Sequence, residues 1–563
     1  MDFIDAFWTY GDAKLRIGPM ARHSLLPLAN SEYGNMLCPM ARRTVVLVIR
    51  DGWGVNHHAD GRKSDATHCV ATPHTDELLA NWPSVEIEAS GLAVGLPAGI
   101  MGNSEVGHQN IGAGRVVDQE IVRINKALLD GSLGQNPVLL DAFENAKRNG
   151  GKLHLMGLLS DGGVHSVMAH PIGILKLAYE AQVTRVCMHA FMDGRDTPPK
   201  SGINYMRQWE AIAKELGIGQ VATITGRFWV MDRDSRWDRV RKAYHCLTGG
   251  QAEKANSAEE VIGRYYEHPM DDSRSGDEFI LPTQIVDGSG IFTGAIEAGD
   301  SVILFNFRGD RPREITKALI NAEFADFPRE KLLPLHYVTM TEYEKGLCEN
   351  ILFPKPKPME NILGSYISSL GLKQFRIAET EKYAHITFFF NDYREEPFSG
   401  EDRQLIPSPK DVATYDEKPQ MSAEMVCSGV LHAMEKKSYD LIVVNFANPD
   451  MLGHTGNFDA AKSAVQTVDG CLGKLMQKAM NLEQIMLITA DHGNVECMWD
   501  SKNNVPHTQH TTNPVHVVIF GAGYEQARLR TGGKLADIAP TLLQLMGVSK
   551  PAEMTGSSLL RLL

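Results

Sequence analysis

Short apolar runs rich in Val, Ile and Leu recur along the chain, and longer segments of helical periodicity lie between them. Such runs are typical of buried strands, whereas apolar residues three and four positions apart predict amphipathic helices. The clearest predicted strands are Val45–Ile49, Lys152–Leu155, Arg185–His189, Val221–Ile224, Val302–Phe305, Leu441–Asn445, Ile485–Thr489 and Val515–Phe520. The clearest predicted helices are Ser422–Glu435, Asp459–Met480 and Leu535–Met546. This alternation predicts an α/β fold.

Polar and charged residues follow the carboxyl ends of all these predicted strands except the last. They are Asp51; Asp161 and His165; Asp193, Arg195 and Asp196; Arg227; Asn306 and Arg308; Asp450 and His454; and Asp491 and His492. A solvated loop explains any one of these groups. Their recurrence favours a ligand site, because open α/β sheets bind ligands outside the carboxyl ends of their strands.

Two interruptions divide the pattern, one near Val116–Gln119 and the other at Phe353–Pro358, a Pro- and Lys-rich stretch typical of a linker. We therefore predict a discontinuous domain of residues 44–118 and 358–563 with an inserted α/β domain of residues 119–357. Asp and His residues of the kind that bind metals lie mainly outside the insertion. The Arg-rich motifs lie inside it. One domain is expected to do metal chemistry and the other to hold an anion.

Composition narrows the class of protein. A chain of 563 residues is too long for one core, and its 43% hydrophobic and 22% charged residues are ordinary for a globular protein. The net charge of −13 argues against a nucleic-acid partner but allows a small anionic substrate. No apolar run could span a membrane, and the eight scattered Cys are typical of reduced thiols. We expect a cytoplasmic monomer, in which residues 1–43 form an N-terminal extension without an evident role.

Residue types that bind divalent cations recur in the outer segments of the chain. They are Asp51, Asp450, His454, Asp491, His492 and His510. Asp450 and His454 stand four positions apart, so that on a helical turn they would share one face. A single Asp-His pair is as well explained by a loop ion pair or a helix cap, but several such groups at strand ends favour a metal site. Carboxylate and imidazole ligands without thiolate suit Mn²⁺ or Zn²⁺ better than Mg²⁺.

Ser104 follows a turn at Gly102 and stands where a helix is expected to begin. The amino end of a helix favours a bound phosphate, and metal coordination makes a serine hydroxyl nucleophilic. On its own, Ser104 or Asn103 is more simply explained as a helix cap. Lys382 is a candidate to neutralise a transferring phosphate, with an exposed helical lysine as the alternative.

Arginine motifs distinguish the inserted segment. They contain Arg227, Arg233, Arg308 and Arg311. The planar guanidinium binds phosphate or carboxylate oxygens in pairs, and Arg308 and Arg311 are spaced to converge on one anion. Arg195 with Asp196 adds a cation beside a carboxylate, and His165 adds a group that titrates near neutral pH. A surface ion pair is the simpler explanation for each arginine taken alone.

Taken together, these motifs resemble the cofactor-independent phosphoglycerate mutase family of the alkaline phosphatase superfamily. The resemblance covers the chain from about Thr44 to its end, in the family's motif order. The motifs are Asp51-Gly-Trp-Gly54, Gly102-Asn-Ser-Glu-Val-Gly-His108, Gly194-Arg-Asp196, Arg308-Gly-Asp-Arg311, Ala378-Glu-Thr-Glu-Lys-Tyr383, Asp450-Met-Leu-Gly-His454, Ala490-Asp-His-Gly-Asn494 and His510-Thr-Thr-Asn-Pro514.

The resemblance implies an alkaline-phosphatase-like sheet flanked by helices, with a second α/β domain inserted. It implies interconversion of 2-phosphoglycerate and 3-phosphoglycerate in glycolysis and gluconeogenesis, without a bisphosphoglycerate cofactor. Two divalent ions are expected, with Mn²⁺ favoured and Mg²⁺, Co²⁺ and Zn²⁺ as alternatives.

The same resemblance implies roles for individual residues. One metal would be bound by Asp450, His454 and His510, and the other by Asp51, Ser104, Asp491 and His492. Substrate would be bound by His165, Arg195, Asp196, Arg227, Arg233, Arg308, Arg311 and Lys382. Ser104 would be the nucleophile that forms phosphoserine, Lys382 would contact the phosphoryl group, and Asp196 would serve as general acid and base.

Three stretches depart from the family pattern, at Val167, Phe228–Val230 and Asn391–Tyr393, and none of them removes a proposed ligand. Two alternative functions are a phosphatase or phosphopentomutase of the same superfamily, and a pseudoenzyme that binds a metabolite or acts as a scaffold. The arginine cluster suits a small substrate that carries a carboxylate, which argues against the first. The complete set of ligands argues against the second.

Overall fold

The computed structural model describes residues 43–57, 63–148, 150–329 and 334–561. The predicted N-terminal extension, apart from Arg43, lies outside these residues. The strands, in chain order, are β1 (Val45–Arg50), β2 (Ser84–Glu88), β3 (Leu153–Leu159), β4 (Val186–Met192), β5 (Gln220–Gly226), β6 (Glu253–Ala255), β7 (Thr283–Ile285), β8 (Ser301–Leu304), β9 (His336–Thr341), β10 (Asn350–Phe353), β11 (Gln374–Glu379), β12 (Glu401–Ile406), β13 (Leu441–Phe446), β14 (Ile485–Thr489), β15 (Trp499–Asp500), β16 (Val505–Pro506), β17 (Val515–Phe520), β18 (Arg528–Leu529), β19 (Gly533–Lys534) and β20 (Leu560–Arg561). The α-helices are α1 (Pro73–Asn81), α2 (Ser104–Ala113), α3 (Glu120–Leu129), α4 (Pro137–Arg148), α5 (Ala169–Glu180), α6 (Gly202–Leu216), α7 (Arg227–Val230), α8 (Trp237–Leu247), α9 (Ala258–Glu267), α10 (Arg313–Ile320), α11 (Leu363–Ser369), α12 (Thr380–Ala384), α13 (Ala423–Lys436), α14 (Asn448–Gly453), α15 (Phe458–Leu482) and α16 (Ile538–Leu545).

The first sheet has the strand order β12-β11-β13-β1-β14-β17-β2-β19. The strands from β12 to β14 are parallel, and β17 runs antiparallel to both of its neighbours. Strand β1 has the sequence Val-Val-Leu-Val-Ile-Arg and is buried along its whole length. Continuous apolar strands of this kind are expected where a parallel sheet is covered on both faces.

The second sheet has the order β10-β9-β8-β3-β4-β5-β7-β6, and its strands are parallel from β10 to β5. All of its strands come from one continuous stretch of chain, between β2 and β11 of the first sheet. The α/β fold with a second α/β unit inserted into the first is therefore confirmed. The predicted domain limits, 44–118 with 358–563 and 119–357, stay a prediction.

The predicted helices agree with the structure in place and differ in extent. Helix α15 begins after Asn457, whose side chain accepts a hydrogen bond from the Ala460 backbone N–H and caps the helix. The predicted helix Leu535–Met546 is divided, because its first three residues form a 3-10 turn before α16. Pro540 has no backbone N–H to donate to the preceding turn, which accounts for the late start of regular helix. Among the described residues, no helix combines the length and the apolar composition that crossing a membrane requires.

The turn at Asn391–Tyr393 departs from the family pattern and is held by hydrogen bonds to neighbouring segments. Asp392 and Tyr393, which belong to the departure at Asn391–Tyr393, adopt φ angles of 55° and 62°. This left-handed conformation is costly for residues other than glycine. The Asp392 carboxylate accepts hydrogen bonds from the Met359 backbone N–H at 2.6 Å and from Gln109 Nε2 at 3.3 Å. These contacts offset the strain of the turn.

The chain passes between the two sheets at two neighbouring places. Arg123, on the outgoing helix α3, donates a hydrogen bond from Nη2 to the carbonyl oxygen of Pro354 at 3.2 Å. The Arg123 guanidinium also lies 6.0 Å from the centroid of the Phe353 ring. Arg115 Nη2 donates to the carbonyl oxygen of Glu360 at 2.7 Å. The outgoing and returning segments are thus bound to each other.

Candidate active site

Three neighbouring strands of the first sheet deliver acidic and imidazole side chains to one edge. Asp51 follows β1, Asp450 lies on α14 after β13, and Asp491 follows β14. These strands lie side by side in the order β13-β1-β14, and their parallel direction brings their carboxyl ends together. All three carboxylates are buried. Grouping three acidic side chains away from water is costly unless cations neutralise them.

Ser104 is the first residue of α2 and lies against this acidic edge. Its Oγ is 2.9 Å from His492 Nε2 and 3.2 Å from Asp51 Oδ1. The helix cap is the neighbouring Asn103, whose side chain accepts a hydrogen bond from the Val106 backbone N–H. Because Asn103 provides the cap, the Ser104 hydroxyl is directed into the acidic cluster.

Lys382 lies at the centre of the cluster and is not the exposed helical lysine considered as the alternative. Its Nζ is 2.7 Å from Asp51 Oδ1, 2.6 Å from Asp450 Oδ2 and 2.7 Å from Ser104 Oγ. Burial by itself would lower the pKa of Lys382, but Asp450 and Asp51 raise it well above its ordinary value. The ammonium is therefore charged and holds the Ser104 hydroxyl and two carboxylates around one point.

His454 and His510 direct their Nε2 atoms to a common position beside Asp450. Their Nδ1 atoms bind the backbone carbonyl oxygens of Thr508 at 2.8 Å and Gly102 at 2.9 Å. Nδ1–H is the donor in such bonds, so Nε2 is the nitrogen of each ring that is available to a cation. The two Nε2 atoms lie 3.3 and 3.2 Å from Asp450 Oδ1. Fixing imidazoles through Nδ1 in this way is characteristic of metal-binding histidines.

Two further groups are arranged to hold a cation, one formed by Asp51, Asp450 and His492 and the other by Asp51, His108 and Asp491. Burial would lower the pKa of His492, but Asp491 and Asp51 raise it to about 9. A bound cation would displace this proton. Among the described side chains no hydrogen bond reaches the buried Oδ2 of Asp491. A buried carboxylate oxygen that accepts no hydrogen bond from the described residues, with imidazole nitrogens beside it, fits divalent metal ions.

A cavity of about 430 Å³ opens onto this cluster. Its walls include Ser104, Lys382, Asp450, His454 and His510. The reacting hydroxyl and the candidate ligands are therefore within reach of a small molecule.

The predicted substrate residues form a second cluster at strand ends of the second sheet. Arg227 Nη1 lies 2.6 Å from both Asp193 Oδ1 and Asp196 Oδ2. Asp193 Oδ1 also accepts the backbone N–H groups of Arg195 at 3.2 Å and Asp196 at 3.0 Å, and its Oδ2 accepts Ser160 Oγ at 2.6 Å. Asp193 thereby fixes the loop that carries Asp196.

A second carboxylate, Asp310, binds the exposed arginines of this cluster. Arg233 Nη1 lies 3.3 Å from Asp310 Oδ2, and Arg308 Nε lies 3.3 Å from Asp310 Oδ1. His165 Nδ1 is 3.8 Å from Asp310 Oδ1. Burial and the charge of Arg227 lower the pKa of His165 to about 4. His165 is therefore neutral at pH 7, contrary to the expectation that it titrates there.

Arg311 and Arg195 complete the cationic cluster. Burial and the neighbouring charges of Arg227 and Arg233 lower the pKa of Arg311 below its ordinary value. Arg195 Nη2 lies 2.5 Å from Glu278 Oε1. Guanidinium groups crowded in this way favour a bound anion, which would relieve their mutual repulsion.

The structure thus brings the predicted site residues together as two clusters. The acidic cluster holds Asp51, Ser104, Lys382, Asp450, His454, Asp491, His492 and His510, and the arginine cluster holds His165, Arg195, Asp196, Arg227, Arg233, Arg308 and Arg311. Among the described residues, no hydrogen bond or ion pair joins one cluster to the other. Sequence reasoning assigned no role to Asp193, which directly precedes the Gly194–Asp196 motif, or to Asp310, which lies inside the Arg308–Arg311 motif. It also missed His108, whose Nδ1 lies 3.1 Å from Asp491 Oδ2.

Two family profiles match the chain. The profile described as type I phosphodiesterase / nucleotide pyrophosphatase matches residues 385–542. Together with a buried serine and metal-type ligands at the edge of an α/β sheet, this match defines a protein of the alkaline phosphatase superfamily. The profile described as the BPG-independent PGAM N-terminus matches residues 124–345, which contain the arginine cluster.

Whole-chain relatives narrow the class further. A 2,3-bisphosphoglycerate-independent phosphoglycerate mutase of Rhodopirellula baltica is 48% identical over 530 residues, which cover 92% of this chain and 97% of that protein. One from Clostridium tetani is 51% identical over 521 residues, covering 92% and 99%. A crystal structure of Leishmania mexicana phosphoglycerate mutase at low cobalt concentration is 34% identical, covers 93% of this chain and 99% of that one, and has a TM-score of 0.58. The chain belongs to the 2,3-bisphosphoglycerate-independent phosphoglycerate mutase family.

Proposed function

We propose that the chain interconverts 2-phosphoglycerate and 3-phosphoglycerate through a phosphoserine on Ser104, without a bisphosphoglycerate cofactor. The observation that carries the proposal is the position of Ser104 Oγ, 2.7 Å from Lys382 Nζ and 2.9 Å from His492 Nε2. The family to which the chain belongs supports the choice of substrate. The arginine cluster supplies groups for the carboxylate of phosphoglycerate.

We assign one metal ion to Asp450, His454 and His510, and the other to Asp51, Ser104, Asp491 and His492. When bound, these ions supply Lewis-acid chemistry that lowers the pKa of the Ser104 hydroxyl and neutralises charge on phosphoryl oxygens. The mixed carboxylate and imidazole ligands favour Mn²⁺, with Mg²⁺, Co²⁺ and Zn²⁺ as alternatives.

In the first half-reaction Ser104 Oγ, which would lose its proton to solvent when the site is loaded with metal, attacks the phosphorus of the substrate as an alkoxide, in line with the leaving oxygen. The P–Oγ bond forms, and the bond from phosphorus to the substrate oxygen breaks. Lys382 Nζ, which already donates to Ser104 Oγ at 2.7 Å, stays beside the phosphoryl oxygens and stabilises their charge. The leaving oxygen takes a proton from Asp196 and becomes a hydroxyl of glycerate.

In the second half-reaction the bound glycerate turns so that its other hydroxyl faces phosphoserine. Asp196, now ionised, takes the proton of that hydroxyl, and the oxygen attacks the phosphorus while the P–Oγ bond breaks. Ser104 returns to the alkoxide and Asp196 to the carboxylic acid with which the cycle began. Arg227 holds Asp196 Oδ2 at 2.6 Å and keeps the base in place during the turn. We assign the glycerate contacts to His165, Arg195, Asp196, Arg227, Arg233, Arg308 and Arg311.

Water would convert phosphoserine to phosphate and waste the intermediate. The nucleophile and Lys382 belong to the segment of the first sheet, whereas Asp196 and the arginines belong to that of the second. We infer that both segments enclose the substrate between them, which excludes water while glycerate turns.

The proposal is tested with purified protein that is loaded with Mn²⁺ and given 3-phosphoglycerate without bisphosphoglycerate. We expect 2-phosphoglycerate to accumulate until equilibrium is reached. Ser104→Ala should lower the rate of this conversion at least about a thousandfold. If the loaded wild-type protein leaves 3-phosphoglycerate unchanged, the proposal is wrong.

A phosphatase of the same superfamily is the competing activity, and it predicts a different product. The same preparation is given p-nitrophenyl phosphate, which has no carboxylate for the arginine cluster. Turnover of phosphoglycerates well above that of p-nitrophenyl phosphate, without release of inorganic phosphate, supports a mutase. Retention of the cellular role by Ser104→Ala would instead support a metabolite-binding or scaffold protein.

The finer properties are part of the same proposal. We propose a monomer that acts in the cytoplasm, in glycolysis and gluconeogenesis, with a small phosphoglycerate as partner and no nucleic acid or membrane. Light scattering after size-exclusion chromatography measures the mass, and 62.2 kDa is expected for one chain.

A further inference from the structure

The carboxylate of Glu496 is fully buried among loops that carry residues of the acidic cluster, and the mechanism above does not use it. Its Oε2 accepts the backbone N–H groups of Gly54 at 3.1 Å and Asn494 at 2.7 Å. Its Oε1 accepts Asn513 Nδ2 at 2.9 Å and the hydroxyl of Thr511. Four donors therefore converge on one side chain.

These donors lie beside candidate metal ligands in the chain. Gly54 follows Asp51, Asn494 follows Asp491 and His492, and Thr511 follows His510. Asn494 extends the network to the remaining ligand segment, because its Nδ2 donates to Asp450 Oδ1 at 2.8 Å. Glu496 thus binds three ligand-bearing loops directly and reaches the fourth segment through one residue.

The loops are shaped to admit this carboxylate. A Cβ atom at Gly54 would lie 2.5 Å from Glu496 Cδ, and one at Gly493 would lie 2.4 Å from Glu496 Oε1. Both distances are too short for non-bonded atoms, so larger residues at these positions would displace the carboxylate. Contact with Glu496 therefore explains why glycine stands at position 54 of the Asp51–Gly54 motif and at position 493 of the Asp491–Asn494 motif.

The charge of Glu496 is not balanced by a side chain. All four donors are neutral, and among the described residues no ion pair involves Glu496. Amide and hydroxyl dipoles satisfy its oxygens but leave the negative charge in place. A carboxylate bonded to the backbone and side chains of ligand-bearing loops orients the ligands that these loops carry.

We propose that Glu496 is a positioning residue that sets the affinity of the site for divalent metal ions by holding its ligand loops together. The inference rests on the proposed metal-dependent function. It assigns to Glu496 no contact with substrate.

Glu496→Gln tests this with little change of volume. Its amide NH₂ would face donors on whichever side it lies, since both carboxylate oxygens act only as acceptors here. Mn²⁺ binding to the metal-stripped protein is measured by titration calorimetry. We expect the Kd of the variant to rise about 10- to 100-fold. Glu424→Gln, which alters an exposed carboxylate paired with Lys474, should leave the Kd unchanged.

A second pair of variants decides the matter if Glu496→Gln fails to fold. Thr511→Val removes one hydroxyl donor with nearly the same shape, and Thr511→Ser keeps that donor. Weaker Mn²⁺ binding in Thr511→Val that is restored in Thr511→Ser supports the proposal. Equal Kd values in both variants and the wild-type protein contradict it.

A purely structural role for Glu496 predicts another outcome. The Tm of the metal-free protein would fall while the folded protein kept its Mn²⁺ affinity, and this result would overturn the inference. The outcome is separable from that of the proposed function, because the wild-type protein alone tests conversion of 3-phosphoglycerate. If the wild-type protein is active and Glu496→Gln binds Mn²⁺ with unchanged affinity, only the proposed role of Glu496 is contradicted.

Discussion

The Nε2 atoms of His454 and His510 face each other at 3.0 Å, and each ring binds a backbone carbonyl oxygen through Nδ1. Two lone pairs this close repel unless a proton or a cation lies between them. His510→Ala should therefore reduce the bound metal from two ions per chain to one, as measured by elemental analysis after dialysis. His507→Ala is the matched control, because His507 binds the Cys497 carbonyl and belongs to none of the candidate metal groups. Equal metal content in the two variants would contradict the assignment.

The position of Lys382 between two carboxylates leads us to expect that its contribution to thermal stability depends on bound metal. In metal-free protein its ammonium lies 2.7 Å from Asp51 Oδ1 and 2.6 Å from Asp450 Oδ2, closer to both carboxylates than His492 is. Lys382→Met leaves buried carboxylates without that partner, a change that typically costs about 3–5 kcal/mol. We expect a large drop in Tm in the presence of EDTA and a much smaller one with Mn²⁺. A drop of the same size in both conditions would show that metal does not replace the lysine charge.

Replacement of Arg308 is expected to weaken substrate binding without lowering the stability of the fold. Its guanidinium is half exposed and is paired only with Asp310 among the described ion pairs. Arg308→Lys keeps the charge but loses the planar fork, so KM for 3-phosphoglycerate should rise about tenfold with little change in Tm. Arg274→Lys alters an exposed arginine paired with Asp271 and serves as the control. An unchanged KM in Arg308→Lys would remove Arg308 from the proposed substrate contacts.

Much of the fold could be predicted because its central strands are continuous apolar runs. Strand β11 escaped prediction because Gln374 and Arg376 interrupt its apolar pattern, yet both are fully buried. Arg376 donates to Gln374 Oε1 at 2.5 Å and lies 4.2 Å from the centroid of the Phe390 ring. These tertiary contacts compensate for burying polar groups, and no local pattern encodes them.

The site was predictable to a similar extent. Its ligands follow strand ends in the sequence, so that position and residue type together point to them. Glu496 and His108 act through partners distant in sequence, such as Gly54 and Asn445, and only the folded chain brings these together. Residues that orient other residues carry no spacing signal of their own.

The burial of Glu379 leads us to expect that the free energy of unfolding depends on pH. It is buried, and burial raises the pKa of its carboxyl to about 7 although Ser408 donates to it at 2.8 Å. A raised carboxyl pKa contributes stability that is fully present below the ordinary value near 4.5 and is lost as pH rises through 7. Glu379→Gln stays neutral and should gain relative to wild type by about 3 kcal/mol between pH 4.5 and 8.

Thermal unfolding of both proteins across this pH range measures the difference. Glu424→Gln, at an exposed position, should follow the wild-type curve throughout. Parallel curves for wild type and Glu379→Gln would show that Glu379 titrates normally.

The pairing of the outgoing and returning segments through Arg123 and Pro354 has an evolutionary consequence. A stretch of chain whose two ends meet can be gained, lost or exchanged while the receiving protein keeps its own strand order. The host sheet would need only a short splice between the end of α2 and the start of α11. Such an exchange would carry the whole arginine cluster with it as one unit and leave the acidic cluster in the host sheet.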